Sequence, residues 1–182
     1  MKKIQDSHSL GIVSGLIGGI GMIIFDQISH KYGISKRSYA QAASGMWVAS
    51  KKQARSKGGN ILGVGMTLGL SSLGGVIMTT LLSKKGTDNL ITKGIFYGAT
   101  YGAITTGLLS GFPTNKVKPK DATSNLSYVA AHILYGIITT QLISKLGDKT
   151  VLTNRPLDNI SSKPFHEYYS SDQDQKAESY TH

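Results

Sequence analysis

Leu10-Gly11-Ile12-Val13-Ser14-Gly15-Leu16-Ile17-Gly18-Gly19-Ile20-Gly21-Met22-Ile23-Ile24-Phe25 runs for sixteen residues without a charged side chain, and five of the sixteen are glycine. In water such a stretch makes a poor helix, because each interior Gly costs about 0.8–1 kcal/mol relative to Ala. A soluble amphipathic helix would also place polar residues every three or four positions along one face. Here only Ser14 interrupts the glycines and apolar residues. In lipid the same glycines become contact surfaces, since small residues let helix backbones approach closely. The stretch reads as a transmembrane helix.

The pattern recurs along the 182 residues: no Asp, Glu, Lys or Arg falls in 7–25, 58–83, 94–115 or 122–144. Whole-chain averages conceal this. Twenty Lys and Arg against ten Asp and Glu give a net charge of +10, with 40% hydrophobic residues and a mean hydropathy of −0.09. Segregation of charge from apolar windows is a membrane signature, because a charge at the bilayer centre costs about 2.5–3.5 kcal/mol on insertion scales. Four spans follow, over 10–28, 61–82, 94–112 and 126–144. The strict apolar core of the first, 10–25, is only about 24 Å long against a hydrocarbon core of about 30 Å, so it reaches through 28 with Asp26 among the headgroups. Of the 22 glycines, 16 lie in these spans. The fold class expected is all-α: a polytopic membrane protein with four transmembrane helices in a Gly-rich bundle. This single domain covers residues 1–147, and 148–182 is a polar, disordered tail. Met1-Lys2-Lys3 before an apolar run resembles a signal peptide, but no Ala-x-Ala-like site ends the run at Phe25-Asp26-Gln27, so it reads as a retained first helix.

Two internal patterns refine this picture. Gly11, Gly15 and Gly19 form a four-residue ladder in the first span, and Gly94, Gly98 and Gly102 form another in the third. The second span closes with Ile77-Met78-Thr79-Thr80 and then Ser83-Lys84, the fourth with Ile137-Ile138-Thr139-Thr140 and then Ser144-Lys145. Two duplicated helical hairpins would explain both matches, as would chance similarity between Gly-rich apolar stretches. In the first loop, Ser38-x-x-Gln41 has the form of a capping box opening a helix over about 38–56. Helical spacing puts Tyr39, Ala42, Ala43, Met46, Trp47, Ala49 and Ala54 on one side and Lys51, Lys52 and Arg55 opposite. Such a helix suits the membrane interface, or else a cap packed on the end of the bundle. Four spans put both termini and the second loop on one side, called side A, and the first and third loops on side B. Basic residues divide almost evenly between the two, so the positive-inside rule does not choose an orientation.

Few residues could carry chemistry. Asp26 is the only acidic residue abutting a span, and His132 lies in the side B half of the fourth span. A buried carboxylate–imidazole pair is the minimal kit for proton relay or ion coordination; solvation of Asp26 at the headgroups and an interhelical bond from His132 is the plainer alternative. Lys93 begins the third span near Asp88 and would snorkel to the interface. Tyr97, Tyr101 and Tyr135, with Thr100, Thr105 and Thr106, suit either a polar path or routine interhelical hydrogen bonding.

There is no cysteine, which excludes disulfides and Cys-based zinc sites. No metal-ligand cluster, nucleophile elbow, zinc-protease motif or phosphate loop occurs. The chain is therefore expected to be non-enzymatic, without cofactor, catalytic residue or metal. Its basic excess comes with no nucleic-acid reader motif, so the bilayer is the expected partner, with self-association through the glycine faces.

Gly15-Leu16-Ile17-Gly18-Gly19, Ser38-Tyr39-Ala40-Gln41-Ala42-Ala43, Lys93-Gly94-Ile95-Phe96-Tyr97-Gly98 and His132-Ile133-Leu134-Tyr135-Gly136 together resemble uncharacterised bacterial four-helix membrane proteins of the YqhR-like type. The resemblance covers about 10–147 and implies a multi-pass location in a bacterial cell membrane; it transfers no binding or catalytic residue. A structural or accessory role is the leading expectation. An oligomeric small channel or transporter with a polar path near Asp26 and His132 is the alternative.

Overall fold

Each charge-free window lies within a long helix whose start is set by a polar cap. In the computed structural model, which describes residues 3–148 and 150–152, α1 spans Ser7–Lys31 behind Asp6, whose carboxylate accepts from Ser9 N at 2.6 Å. Two short helices follow, α2 over Tyr39–Ser44 and α3 over Lys51–Ala54. Helix α4, Lys57–Lys85, is capped by Ser56 Oγ accepting from Gly59 N at 3.1 Å. It stops at Gly86, whose φ of +78° is a conformation that other L-residues rarely adopt. Helix α5 runs Leu90–Gly111, and α6 runs Ala122–Leu146 behind Asp121, which accepts from Ser124 N at 3.0 Å. The described residues are all-helical apart from one isolated bridge between Ile4 and Gly147. Three helices, α1, α4 and α6, are long and apolar enough to cross a membrane, which suggests a multi-pass membrane protein. Helix α5 is not among them: its 22 residues include Tyr97, Tyr101 and four threonines, which lower its hydropathy.

Around the bundle, α4 packs on α1, α1 on α6 and α6 on α5, whereas α4 and α5 hardly meet. The contacts are made where side chains are smallest. A Cβ added to Gly11 would lie 2.5 Å from Val76 Cα, and one on Gly15 would meet Ser71 O and Gly75. In the other hairpin, a Cβ on Gly94 would lie 2.9 Å from Ile137 Cα, and one on Gly98 would meet His132 O and lie 2.7 Å from Ile133 Cα. Gly75 opposes Gly11 and Gly15 as Gly136 opposes Gly94 and Gly98. Below them, Thr79 Oγ1 donates to Gly75 O and Thr140 Oγ1 to Gly136 O.

The distribution of side chains is inverted relative to a water-soluble bundle. Glycines, Ser14, Thr67, Ser71, Thr79, Thr106, Thr139 and Thr140 are buried, while large apolar side chains point outward. Ile61 is 73% exposed, Phe96 71% and Leu126 71%.

Three expectations need correction. The helix expected over 38–56 is two helices, because Gly45 caps α2 against Asn115 and Val117, and Lys116 N donates to Gly45 O at 2.9 Å. Its apolar side faces into the bundle: Tyr39, Ala42 and Ala43 are buried, with Tyr39 and Ala42 packed on Leu109 and Tyr128. The folded region also passes 147. Asp148 N donates to Ile4 O at 3.0 Å, Val151 O accepts from Ser83 Oγ at 2.8 Å, and Leu152 packs on Leu10, Leu82 and Ile143. The rest of the expected disordered tail, 149 and 153–182, lies outside the described residues. Finally, the long helices overrun the expected spans at most of their ends, since the caps sit among polar residues that the charge-free windows leave out.

Candidate functional site

Asp26 lies in the last third of α1 and is 2% exposed. Its Oδ2 accepts from Tyr39 N at 2.7 Å, while Ser38 Oγ accepts from Gln41 N at 3.3 Å. The carboxylate and the Ser38 hydroxyl thus satisfy two of the backbone donors that the start of α2 leaves open. Oδ1 of Asp26 is buried with no hydrogen-bond partner.

His132 in α6 is 1% exposed. Its Nδ1 lies 2.7 Å from Tyr128 O, and its Nε2 lies 3.2 Å from Thr105 Oγ1. A carbonyl can only accept, so the neutral ring carries its proton on Nδ1 and offers Nε2 to the Thr105 hydroxyl. That hydroxyl also reaches Tyr101 O at 2.8 Å. Both ring nitrogens are therefore engaged within the protein.

The structure brings Asp26 and His132 into one chamber but not into a hydrogen bond; each meets Tyr39. The Tyr39 ring packs edge-on against His132 at 5.0 Å and against Tyr128 at 5.2 Å. Burial pushes the Tyr39 phenol above its ordinary pKa range, so it stays neutral. Tyr128 Oη donates to Arg37 O at 2.8 Å, Ser29 and Ser127 hydroxyls meet at 2.5 Å, and Lys36 N donates to Ser124 Oγ at 3.0 Å. These bonds hold the first loop onto the side B ends of α1 and α6. Asn115, also buried, donates to Ala42 O at 3.1 Å and Leu109 O at 2.9 Å, tying the third loop to α2.

A second aromatic cluster lies between α4, α5 and α6. Tyr97 and Tyr101 stack at 5.7 Å, and both rings approach Tyr135. All three hydroxyls donate to carbonyls of α4: Tyr97 to Gly74 at 2.5 Å, Tyr101 to Leu70 at 2.9 Å and Tyr135 to Ser71 at 2.7 Å. Thr106 is buried with its hydroxyl unpartnered, and Thr100 lines the open side of α5. Lys93 Nζ donates to Asp88 at 2.7 Å and to the carbonyls of Lys85 and Gly86, closing the end of α4. The bond to Lys93 holds the Asp88 carboxyl below its ordinary range.

Among the described residues no group of His, Asp and Glu could hold a metal ion. Sequence reasoning reached Asp26, His132 and the α5 tyrosines but not the role of Tyr39 or Tyr128. The signal for Tyr39 was its place directly after the Ser38 cap, where an exposed backbone donor needs an acceptor. No protein family, curated protein or solved structure matches this chain.

Proposed function

We propose that the chain is a non-enzymatic integral membrane protein of four spans, α1, α4, α5 and α6, with a structural or accessory role in a bacterial membrane. The observation that carries this reading is the inverted side-chain distribution: small and polar residues inside, Ile, Leu and Phe outside. In water that arrangement would leave its largest apolar side chains hydrated and place its weakest helix formers in every interface. In lipid, close backbone packing and interhelical hydrogen bonds are what hold helices together. Helix α5 joins the spans because its hydroxyls are largely engaged with carbonyls of its own helix or of α4. The matched contacts of the two hairpins, Gly11, Gly15 and Gly75 against Gly94, Gly98 and Gly136, support a duplicated α1–α4 and α5–α6 unit. The YqhR-like resemblance stands beside this reading and adds no residue to it.

Single cysteines in this Cys-free chain test the span count. With four spans, Lys51→Cys and Thr114→Cys react with an impermeant maleimide from one side of sealed vesicles and Lys84→Cys from the other. Reaction of all three from one side overturns the proposal.

The unpartnered Oδ1 of Asp26 favours a second reading, an oligomeric channel or transporter with a polar path past Asp26 and His132. It requires a pH-dependent ion flux in proteoliposomes that His132→Ala abolishes; flux unchanged by the substitution removes it.

A further inference from the structure

On the closed side of the bundle α1 lies against α6, with Ser14 fully buried and Gly18 set against Thr139 and Tyr135. Ser14 stands three residues after Gly11, and Gly18 three after Gly15. The residues three after Gly94 and Gly98 are Tyr97 and Tyr101. Where the first hairpin has small side chains, the second has two stacked rings, which prop α5 away from α4 while their hydroxyls hold Gly74 O and Leu70 O. The α4–α5 side stays open as a result.

Between Tyr97 and the side A end lies a cleft of about 390 Å³, walled by Met78, Leu81, Leu82, Phe96 and Thr100, with Lys85 and Lys93 at its mouth. From Met78 to Lys85 the α4 wall rises about 10 Å, two-thirds of a leaflet whose apolar depth is about 15 Å. We propose that this cleft holds one acyl chain of an anionic phospholipid from the bilayer, with its phosphate at Lys84 and Lys85. The inference rests on the membrane reading above. The walls are apolar and open sideways, as a chain entering from the bilayer requires. Tyr97 closes the floor near mid-membrane. Lys93 is already engaged by Asp88 and two carbonyls, leaving Lys84 and Lys85, both exposed, as the cations facing the headgroup level. Three lysines against one aspartate at this mouth favour a lipid of net negative charge over a zwitterionic one.

The chain has one tryptophan, Trp47. In a Trp47→Phe background, Phe96→Trp reports on the cleft and Leu126→Trp on bulk lipid. The protein is reconstituted in phosphatidylcholine with a small fraction of brominated phosphatidylglycerol or brominated phosphatidylcholine as quencher. The proposal expects the reporter at 96 to be quenched several-fold more steeply by the anionic lipid, and the reporter at 126 equally by both. Lys84→Gln with Lys85→Gln should abolish the preference at 96 while quenching at 126 persists, which shows the variant still inserted. Thr100→Leu, which fills the cleft without touching charge, should weaken the preference too. Equal quenching of the reporter at 96 by both lipids overturns the proposal. Failure of either lipid to quench either reporter overturns the membrane reading beneath it.

Discussion

Replacing Gly98 by Ala should loosen the bundle, whereas the same replacement at Gly65 should not. An alanine Cβ at 98 would be driven onto His132 O and would lie 2.7 Å from Ile133 Cα. Both are backbone atoms of α6, so no rotamer change relieves the clash. Restoring ordinary contact needs about 0.7 Å of separation between two helices packed along most of their length. Overpacking of this kind typically costs about 1–3 kcal/mol. At Gly65 nothing lies within 4 Å of the added methyl, and the gain in helix propensity, about 0.8–1 kcal/mol in water, opposes any loss. Reversible unfolding in mixed micelles, titrated with SDS and followed by circular dichroism, measures both. The Gly98→Ala midpoint should fall and the Gly65→Ala midpoint hold or rise. Gly136→Ala meets Gly98 from the other side, at 3.0 Å from its Cα, so its effect should combine non-additively with Gly98→Ala. Equal shifts at 98 and 65 would refute the reasoning, because composition and not contact would then govern stability.

Asp26→Ala leaves the buried Tyr39 N–H without its acceptor and should cost about 1–3 kcal/mol, with faster tryptic cleavage at Lys51 and Lys52; Asp26→Asn keeps an acceptor oxygen and should lose less. Tyr128→Phe removes the hydroxyl that holds Arg37 O and should lower stability by about 0.5–1.5 kcal/mol, read in the same micelle titration. Asp121 has its pKa lowered from 3.8 chiefly by its side-chain hydrogen bond to Ser124. A depressed carboxyl contributes stability above its unfolded value and loses it as pH falls through its folded value, so acidification below about pH 4 should loosen the α6 start. Asp121→Asn should flatten that part of the pH dependence of the thermal midpoint.

The long helices were legible because charge is excluded from them, and that exclusion is a property of the sequence itself. Their true ends were less so: Asp6, Ser56 and Asp121 cap helices from polar stretches that hydropathy passes over. The start of α2 could be read from Ser38, but its end could not. Gly45 stops the helix against Asn115, a partner some seventy residues away that no local pattern announces. The same holds for the site. Depth along α1 and α6 places Asp26 and His132 in one half of the bundle. What separates them is a loop that folds inward and inserts Tyr39, a tertiary event. The glycine ladders showed spacing but not partners, and only the contacts reveal that one hairpin closes on α6 through Ser14 and Gly18 while Tyr97 and Tyr101 hold the other open.

The account depends above all on hydrocarbon, not water, surrounding Ile61, Phe96 and Leu126. Sedimentation velocity of the purified chain after detergent removal tests it most directly. Aggregation or loss of helix without detergent, with recovery on adding micelles, is the result expected. A monodisperse, fully helical species in plain buffer would contradict it.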